Sequence, residues 1–329
     1  MVMADAGGGD RLALAVLAQY RMATTEQMHT LIAPSVRIEQ TRRRLAKLRE
    51  EGLVERITLP QAGRTRVWFV SRYGAQIASE WPELRGWQPS RTVSDPTAAR
   101  LKVGHSLVVT QTGLAFVQDA RRRGDVCRPL DWIPEVHHSL GSGGAVIPDA
   151  LLYYQGGSRN SGRGSMLRAF IEVDRATMGP ERLSAKIGAY ERLYRYAPVP
   201  FGRSRRGLSE DPARENWRDR YPLFPRLLFV LDGTGLAGLD NRIRALHAAH
   251  GELTQAGFIR DVTILAVSLT DLLEHGPSAP VWRPVQDPGQ RVSWMDSYRP
   301  PAAPARPARH TQTPTAPAVV RGWGTHPGA

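Results

Sequence analysis

Residues 35–70, SVRIEQTRRRLAKLREEGLVERITLPQAGRTRVWFV, decide the fold of the first part of the chain. Three apolar residues recur there at helical spacing: Ile38, Leu45 and Leu48. This spacing predicts a helix that Ser35 caps and that Gly52 ends. Residues 53–59 and 65–70 then predict two strands, and a turn-rich segment joins them. The stretch therefore predicts a helix followed by a β-hairpin.

Two further helices precede this stretch. Residues 11–19 (RLALAVLAQ) are strongly apolar, and Thr24 with Gln27 has the spacing of a capping box that opens a helix reaching about Ile32. A fourth helix, beginning near Tyr73, closes the unit. Three helices followed by a hairpin is the order of a winged helix–turn–helix domain, which we place at residues 10–80.

The third helix of this domain carries a basic face opposite its apolar residues. Arginine and lysine neutralise phosphates, and arginine also reads guanine through two hydrogen bonds, so we expect this face to enter the major groove of duplex DNA. The basic wing tip is expected to reach phosphate or the minor groove. The predicted DNA-binding residues are Arg37, Gln40, Arg43, Arg44 and Lys47 on the helix and Arg64 and Arg66 in the wing. The alternative is a winged helix that docks on a protein, with arginines that serve solubility.

The composition excludes several classes of protein. Of 329 residues, 41% are hydrophobic and 23% are charged, which is ordinary globular usage and allows about two domains. No apolar run approaches the ~18 residues of a membrane span, the first residues lack secretory-signal features, and the single Cys127 excludes an intramolecular disulfide. We therefore expect a soluble cytoplasmic protein without a membrane partner. The net charge of +13 favours a polyanion as partner.

A second domain is predicted at residues 101–275, after a proline-punctuated linker at 81–100. Its pattern is a helix at 101–122, strands near 129–137, 145–154 and 166–173, a helix opened by Gly179-Pro180, a strand at 226–231, a helix at 236–256 and a strand at 262–268. This is an α/β order that needs a mixed sheet covered on both faces. Residues 276–329 are expected to form a Pro/Ala-rich, largely disordered tail.

Carboxylates meet at the ends of two of these strands. Asp149 lies in the second strand, and Glu172 and Asp174 end the third, where a spacing of two places both side chains on one face. Clustered carboxylates raise one another's pKa unless a cation joins them, and hard oxygen ligands suit Mg²⁺ or Mn²⁺. We therefore expect a divalent metal held by Asp149, Glu172 and Glu135, the last from the neighbouring first strand. Such a metal polarises a phosphodiester and activates water.

The order Pro148-Asp149 followed by Glu172-x-Asp174 resembles the PD-(D/E)XK nuclease core. That resemblance implies an α/β, restriction-endonuclease-like mixed sheet and a lysine two residues after the second acid, where this chain has Asp174. Lys186, one of only three lysines among 44 basic residues, is the candidate for a migrated lysine on the next helix. The alternative is an ordinary lysine that carries its charge into solvent. The predicted catalytic residues are Asp149, Glu172, Asp174 and Lys186.

The chain also resembles the replication-relaxation family of plasmids and other mobile elements, over about residues 10–196. The resemblance rests on Arg42-Arg43-Arg44-Leu45-Ala46-Lys47-Leu48, Gly52-Leu53-Val54-Glu55-Arg56, His105, Trp132-x-x-Glu135, Pro148-Asp149-Ala150, Phe170-Ile171-Glu172-Val173-Asp174 with Thr177, and Lys186 with Tyr190. It implies a DNA-associated protein with a winged helix and a nuclease-like domain, and it adds His105, Thr177 and Tyr190 as auxiliary site residues. A helix-edge histidine such as His105 is more often a structural group.

Two functions follow from these patterns. The first is a DNA-binding protein of replication-relaxation type whose nuclease-like domain cleaves DNA with Mg²⁺ or Mn²⁺. The alternative is a non-catalytic replication or transcription regulator with a degenerate nuclease core, which the departure at Asp174 favours. A partner-docking adaptor is a third interpretation. Duplex DNA is the expected partner, and a homodimer or other replication or transfer proteins are further expected partners.

Overall fold

A computed structural model of the chain describes residues 8–59, 63–84, 96–141, 144–157, 165–177, 179–198 and 215–296. These residues all fall in one compact unit, which spans residues 1–298. Within the described ranges, no helix is both long enough and apolar enough to cross a membrane.

The N-terminal elements follow the predicted winged-helix order. They are α1 (Gly8–Tyr20), β1 (Ala23–Thr24), α2 (Thr25–Ile32), α3 (Ile38–Glu50), β2 (Val54–Leu59), β3 (Thr65–Val70) and α4 (Arg72–Ser79). The three strands form an antiparallel sheet in the order β1-β3-β2. Leu45 and Leu48 of α3 are fully buried, so the apolar spacing of this helix does face the core.

Local capping signals explain where these helices begin and end. Thr24 and Gln27 form the predicted capping box of α2. Gly52 has a φ of +71°, the left-handed conformation that stops α3. The predicted cap at Ser35 is wrong, because α3 begins only after Arg37, which caps it without a side-chain hydrogen bond. Ser35 instead lies in a turn that the amide of Val36 closes onto the carbonyl of Ala33, too far upstream to reach the first-turn amides of α3.

The remaining elements build an α/β layer around a six-stranded sheet. They are α5 (Pro96–Arg123), β4 (Trp132–Pro134), β5 (His138–Ser139), β6 (Ala145–Val146), β7 (Ala150–Gly156), β8 (Ser165–Asp174), α6 (Pro180–Arg195), β9 (Arg226–Leu231), α7 (Leu236–Gly251), α8 (Ala256–Asp261), β10 (Ile264–Ser268), α9 (Leu269–His275) and β11 (Arg283–Pro284). The strand order is β11-β10-β9-β8-β7-β4. Strands β8, β9 and β10 run parallel and the other pairs run antiparallel, so the predicted mixed sheet is confirmed.

The predicted strand at 145–154 is in fact two strands. Strand β6 pairs with β5 in a separate hairpin, whereas β7 joins the large sheet. Pro148 lies between them, and proline has no amide hydrogen to contribute to a strand ladder. Asp149 therefore precedes β7 rather than lying within a strand. The predicted helix at 236–256 also divides, into α7 and α8.

Helix α5 ties the N-terminal elements to the sheet. It packs on α2, β1 and β2 and also on β7, β8 and α9. Gln27 of α2 donates to Gln111 of α5 at 2.9 Å, and Thr110 of α5 donates to the carbonyl of Met22 at 2.7 Å. One hydrophobic cluster runs from α1 through α5 to β9 and β10. The described residues thus form a continuous body in which α5 joins the elements at 10–80 to those at 101–275.

The predicted linker and tail are only partly described. In the linker range, residues 82–84 form a 3-10 turn with Leu84 buried, residues 96–100 begin α5, and residues 85–95 lie outside the described residues. The tail predicted from residue 276 differs from the structure, because Trp282 and Trp294 are fully buried and β11 pairs with β10. Two tryptophans outweigh a proline-rich composition here, since each buries a large apolar area. Residues 297–329 lie outside the described residues.

The sheet is covered on both faces. On one face Leu228 and Val230 of β9 join the cluster that includes α5. On the other face Phe170 of β8 and Phe229 of β9 pack with Ile187 of α6 and with α7. The carboxyl end of β8 therefore lies between a helix on each side, which is the position of the candidate site.

Candidate functional site

Glu172 and Asp174 are among the last three residues of β8, and their side chains point to the same face of the sheet, as their spacing predicts. They share that face with Phe170, which packs under α6. Their relative exposures are only 2% and 7%. A buried carboxylate is costly unless it is paired, so each of these groups needs a partner from α6 or α7.

Helix α6 supplies the partners of Glu172. Tyr190 Oη donates to Glu172 Oε1 at 2.6 Å, and Lys186 Nζ donates to Oε2. Burial raises the pKa of Glu172 to about 7, although the charge of Lys186 opposes the rise. Burial alone would lower the pKa of Lys186, but the negative charges of Glu172 and Asp149 outweigh it and the pKa is raised. Lys186 therefore stays protonated beside a carboxyl that titrates near neutrality.

Asp149 lies beside this pair, immediately before the neighbouring strand β7. Its Oδ2 accepts the amide of Val173 at 2.7 Å, and its Oδ1 lies 3.1 Å from Nε2 of His105 on α5. Burial would raise the pKa of Asp149, but the hydrogen bond from His105 and the charge of Lys186 hold it below its usual value. The structure thus brings Asp149, Glu172 and Lys186 together, with His105 and Tyr190 in contact with the two acids.

Asp174 is held by a residue that the sequence interpretation missed. Arg242 Nε on α7 donates to Asp174 Oδ2 at 2.6 Å, and the amide of Ala176 donates to Oδ1 at 3.1 Å. Both side chains of the ion pair are nearly buried, with 10% and 6% exposed. The signal was present, because Arg242 falls among the buried apolar positions of α7, where an arginine needs an acid. Asp174 therefore anchors α7 to the strand end.

Two predicted site residues do not join this group. The carboxylate of Glu135 lies 2.7 Å from Nη2 of Arg21, and the left-handed φ of +48° at Glu135 turns the chain away after β4. Thr177 is exposed beyond the end of β8. Across the ranges that the structure describes, no three His, Cys, Asp or Glu side chains are arranged to hold a metal ion. The predicted metal ligands Asp149, Glu172 and Glu135 are therefore not assembled as a set.

The predicted recognition face of α3 divides into free and paired residues. Arg37, Gln40 and Arg43 are exposed, and their side chains make no hydrogen bond or ion pair to described residues. Arg44 Nε and Lys47 Nζ instead each lie 2.9 Å from a carboxylate oxygen of Asp10 in α1. The sequence interpretation missed Asp10 because nothing local connects α1 to α3.

Three arginines lie close together where α3 meets the wing: Arg49 of α3 and Arg56 and Arg66 of the wing. Arg56 and Arg66 lie on one face of the β2–β3 hairpin, because Arg56 pairs with Trp68 and Arg66 with Thr58. Burial lowers the pKa of Arg56, and so do the positive charges of Arg49 and Arg66. The guanidinium carbon of Arg56 lies 5.8 Å from the ring centre of Trp68. No acidic partner of the three arginines occurs among the described residues. Arg64, with a φ of +59°, is exposed at the wing tip.

A family model described as replication-relaxation matches residues 14–200, more than half of the chain. The chain belongs to the replication-relaxation family. The match includes α3, the wing, Asp149, Glu172 and Lys186. It ends before α7, so Arg242 lies outside the matched residues.

Solved structures give only weak similarity. A mutant of ZitR from Lactococcus lactis is 18% identical, with 22% of this chain and 49% of that chain covered and a TM-score of 0.20. A mutant of MarR from E. coli complexed with operator DNA is 23% identical, with coverages of 25% and 57% and a TM-score of 0.22. The chain thus spans about half the length of these proteins, and scores this low define neither its fold nor its function. No curated protein matches the chain.

Proposed function

We propose that this protein binds duplex DNA through α3 and the wing. The observation that carries the proposal is a set of six residues of α3, its N-cap and the wing, hereafter the basic surface: Arg37, Gln40, Arg43, Arg49, Arg56 and Arg66. In the part of the chain that the structure describes, these side chains have no acidic partner. Arginines held close together repel one another, and a phosphate chain is the partner that removes this cost along a surface.

The shape of the basic surface also favours a nucleic acid. A helix of the size of α3 fits the major groove, and its exposed arginines can read guanine there. We expect Arg56 and Arg66 on the neighbouring hairpin to contact the phosphate backbone. A protein-docking surface would be expected to bury aromatic or aliphatic anchors, whereas the exposed residues of α3 are mainly charged.

The salt dependence of binding to duplex DNA tests the proposal. Removing two phosphate contacts with Arg37→Ala plus Arg43→Ala should reduce the slope of log affinity against log salt by about 1.8 units. The double variant Arg192→Ala plus Arg244→Ala is the matched control, because it removes two exposed arginines of α6 and α7. Equal slopes for the two double variants would contradict the proposal, and negligible duplex binding at low salt would favour a docking adaptor.

A metal-dependent DNA endonuclease is the second candidate function. The observation that favours it is the convergence of Lys186 on Glu172 and Asp149 at the end of β8, which is the grouping expected of a nuclease-like core with a migrated lysine. In the described geometry, however, His105 and Lys186 already occupy oxygens of Asp149 and Glu172. Mg²⁺ or Mn²⁺ would have to displace these contacts, so the arrangement as it stands does not fit a metal.

The same contacts support the alternative, a non-catalytic DNA-binding replication or transcription regulator. Supercoiled plasmid incubated with Mg²⁺ or Mn²⁺ separates the two. Nicking by the wild type that is lost in Asp149→Ala and in Glu172→Ala, and retained in the exposed-site control Glu181→Ala, would establish the endonuclease. Absence of metal-dependent nicking, or nicking that survives both substitutions, would exclude this site as the cause.

A further inference from the structure

Arg175 lies beside the candidate site with no role in the contacts described so far. It follows Asp174 at the end of β8, and its guanidinium lies against α5 at Gly104, one residue before His105. A Cβ atom at residue 104 would approach Arg175 Nη1 to 2.5 Å and Cζ to 3.0 Å. A methyl group at residue 104 would therefore have to displace the guanidinium, which is the flexible end of its side chain.

The guanidinium of Arg175 lacks a partner. It makes no hydrogen bond or ion pair within the described ranges, and its Nε is buried without an acceptor. The other cations nearby are satisfied, since Lys186 is paired with Glu172 and Arg242 with Asp174. A buried donor without an acceptor destabilises the folded chain unless an acceptor is supplied from outside the protein.

The backbone around Arg175 is fixed by its neighbours. Ala176 has a φ of +57°, a left-handed conformation that is unfavourable for alanine. Its amide donates to Asp174 Oδ1, and the amide of Asp232 donates to the carbonyl of Asp174 at 2.7 Å. Gly233 is packed so closely that a Cβ there would lie 2.8 Å from the carbonyl oxygen of Arg175. These contacts hold the arginine in position in spite of the strain at the next residue.

We propose that Arg175 forms a site for a phosphate group. A guanidinium presents planar paired donors that match phosphate oxygens, and that of Arg175 has no acid among the described residues. The phosphate belongs either to a DNA strand or to a free phosphate-containing ligand, and the recognition chemistry is the same. The proposal goes beyond duplex binding at the basic surface, because Arg175 directly follows β8 and does not belong to α3 or the wing.

Calorimetric titration of the full chain with inorganic phosphate tests the site. Arg175→Gln should weaken phosphate binding about tenfold or more, which is the loss expected for charge-assisted hydrogen bonds. Gly104→Ala should weaken it as well without removing a charge, because the new methyl group displaces the guanidinium. Arg244→Gln, at an exposed position of α7, is the control for net charge and should bind as the wild type does. Equal phosphate affinity of the wild type and Arg175→Gln would overturn the proposal.

Two further measurements complete the test. The melting temperature of Arg175→Gln without phosphate should equal or exceed that of the wild type, and a large fall would show that the protein itself uses the guanidinium, which overturns the proposal. Competition by short duplex DNA for the phosphate site of the wild type would identify a DNA strand as the source, and its absence would identify a free ligand. Phosphate titration does not depend on α3, so failure of duplex binding in the wild type leaves this result interpretable.

Discussion

We expect Glu172→Gln to abolish a large part of the pH dependence of stability. Glu172 is buried at the end of β8 with Tyr190 and Lys186 as its partners, and burial raises its pKa from 4.5 to about 7. Between these two values the unfolded chain releases the proton that the folded chain retains. The folded state is therefore stabilised by this group at low pH, and the stabilisation is lost as the pH rises through about 7.

The size of the effect follows from the two pKa values. Each pKa unit corresponds to about 1.4 kcal/mol, so this carboxyl lowers the free energy of unfolding by about 3 kcal/mol between pH 4.5 and pH 7 and above. Between about pH 5 and about pH 7.5, a range that is convenient to measure, this carboxyl lowers the free energy of unfolding by about 2 kcal/mol. Glutamine cannot release a proton, so the variant should lack this term.

Urea unfolding followed by tryptophan fluorescence measures the term directly. The difference in unfolding free energy between wild type and Glu172→Gln should change by about 2 kcal/mol across the window, in favour of the variant at higher pH. A constant offset from altered hydrogen bonds does not affect this comparison. Glu181→Gln, at an exposed position of α6, is the control, and its unfolding free energy should change with pH as that of the wild type does. Parallel profiles for Glu172→Gln and wild type would refute the reasoning.

Three other substitutions test a buried ion pair, the ion pairs between α1 and α3, and a close backbone contact. Arg242→Ala leaves Asp174 buried without its guanidinium and should cost about 3–5 kcal/mol in urea unfolding, whereas a cost below about 1 kcal/mol would contradict a buried pair. Asp10→Asn frees two cations of α3, so it should steepen the salt slope of duplex binding by up to about 1.8 units; unchanged anisotropy titrations would count against contact of these cations with DNA. Gly74→Ala places a Cβ 1.9 Å from the carbonyl oxygen of Leu53 and should lower the unfolding free energy by about 3 kcal/mol, and an unchanged melting temperature would contradict this close approach.

Much of the fold could be predicted because its signals are local. The capping box of Thr24 and Gln27 and the left-handed Gly52 depend on residues a few positions apart, and both predictions are confirmed. The cap at Ser35 failed because α3 begins two residues further along, after a turn in which the amide of Val36 donates to the carbonyl of Ala33. The prediction that a tail begins at residue 276 was wrong because Trp282 packs into the core of the sheet, which is distant in sequence.

The candidate site was predictable where strand periodicity governs it. The spacing of Glu172 and Asp174 placed both on one face, and Lys186 on the next helix does reach Glu172. The partners that decide the chemistry come from distant parts of the chain. Arg242 is 68 residues from Asp174 in sequence, and no periodicity within β8 indicates it. The prediction that Glu135 joins the site was wrong for a related reason. Glu135 itself has a left-handed φ, which reorients the chain after β4.

Helix α5 has a consequence for how the chain opens. Because one apolar cluster joins α1 and α3 through α5 to β9 and β10, the N-terminal helices are not expected to unfold as a separate unit. The slowest-exchanging backbone amides of α2 and of β8 should then share one free energy of opening in hydrogen exchange. A ligand that binds near Arg175 and only in the folded state would slow the exchange of both sets by the same factor, although α2 does not touch it.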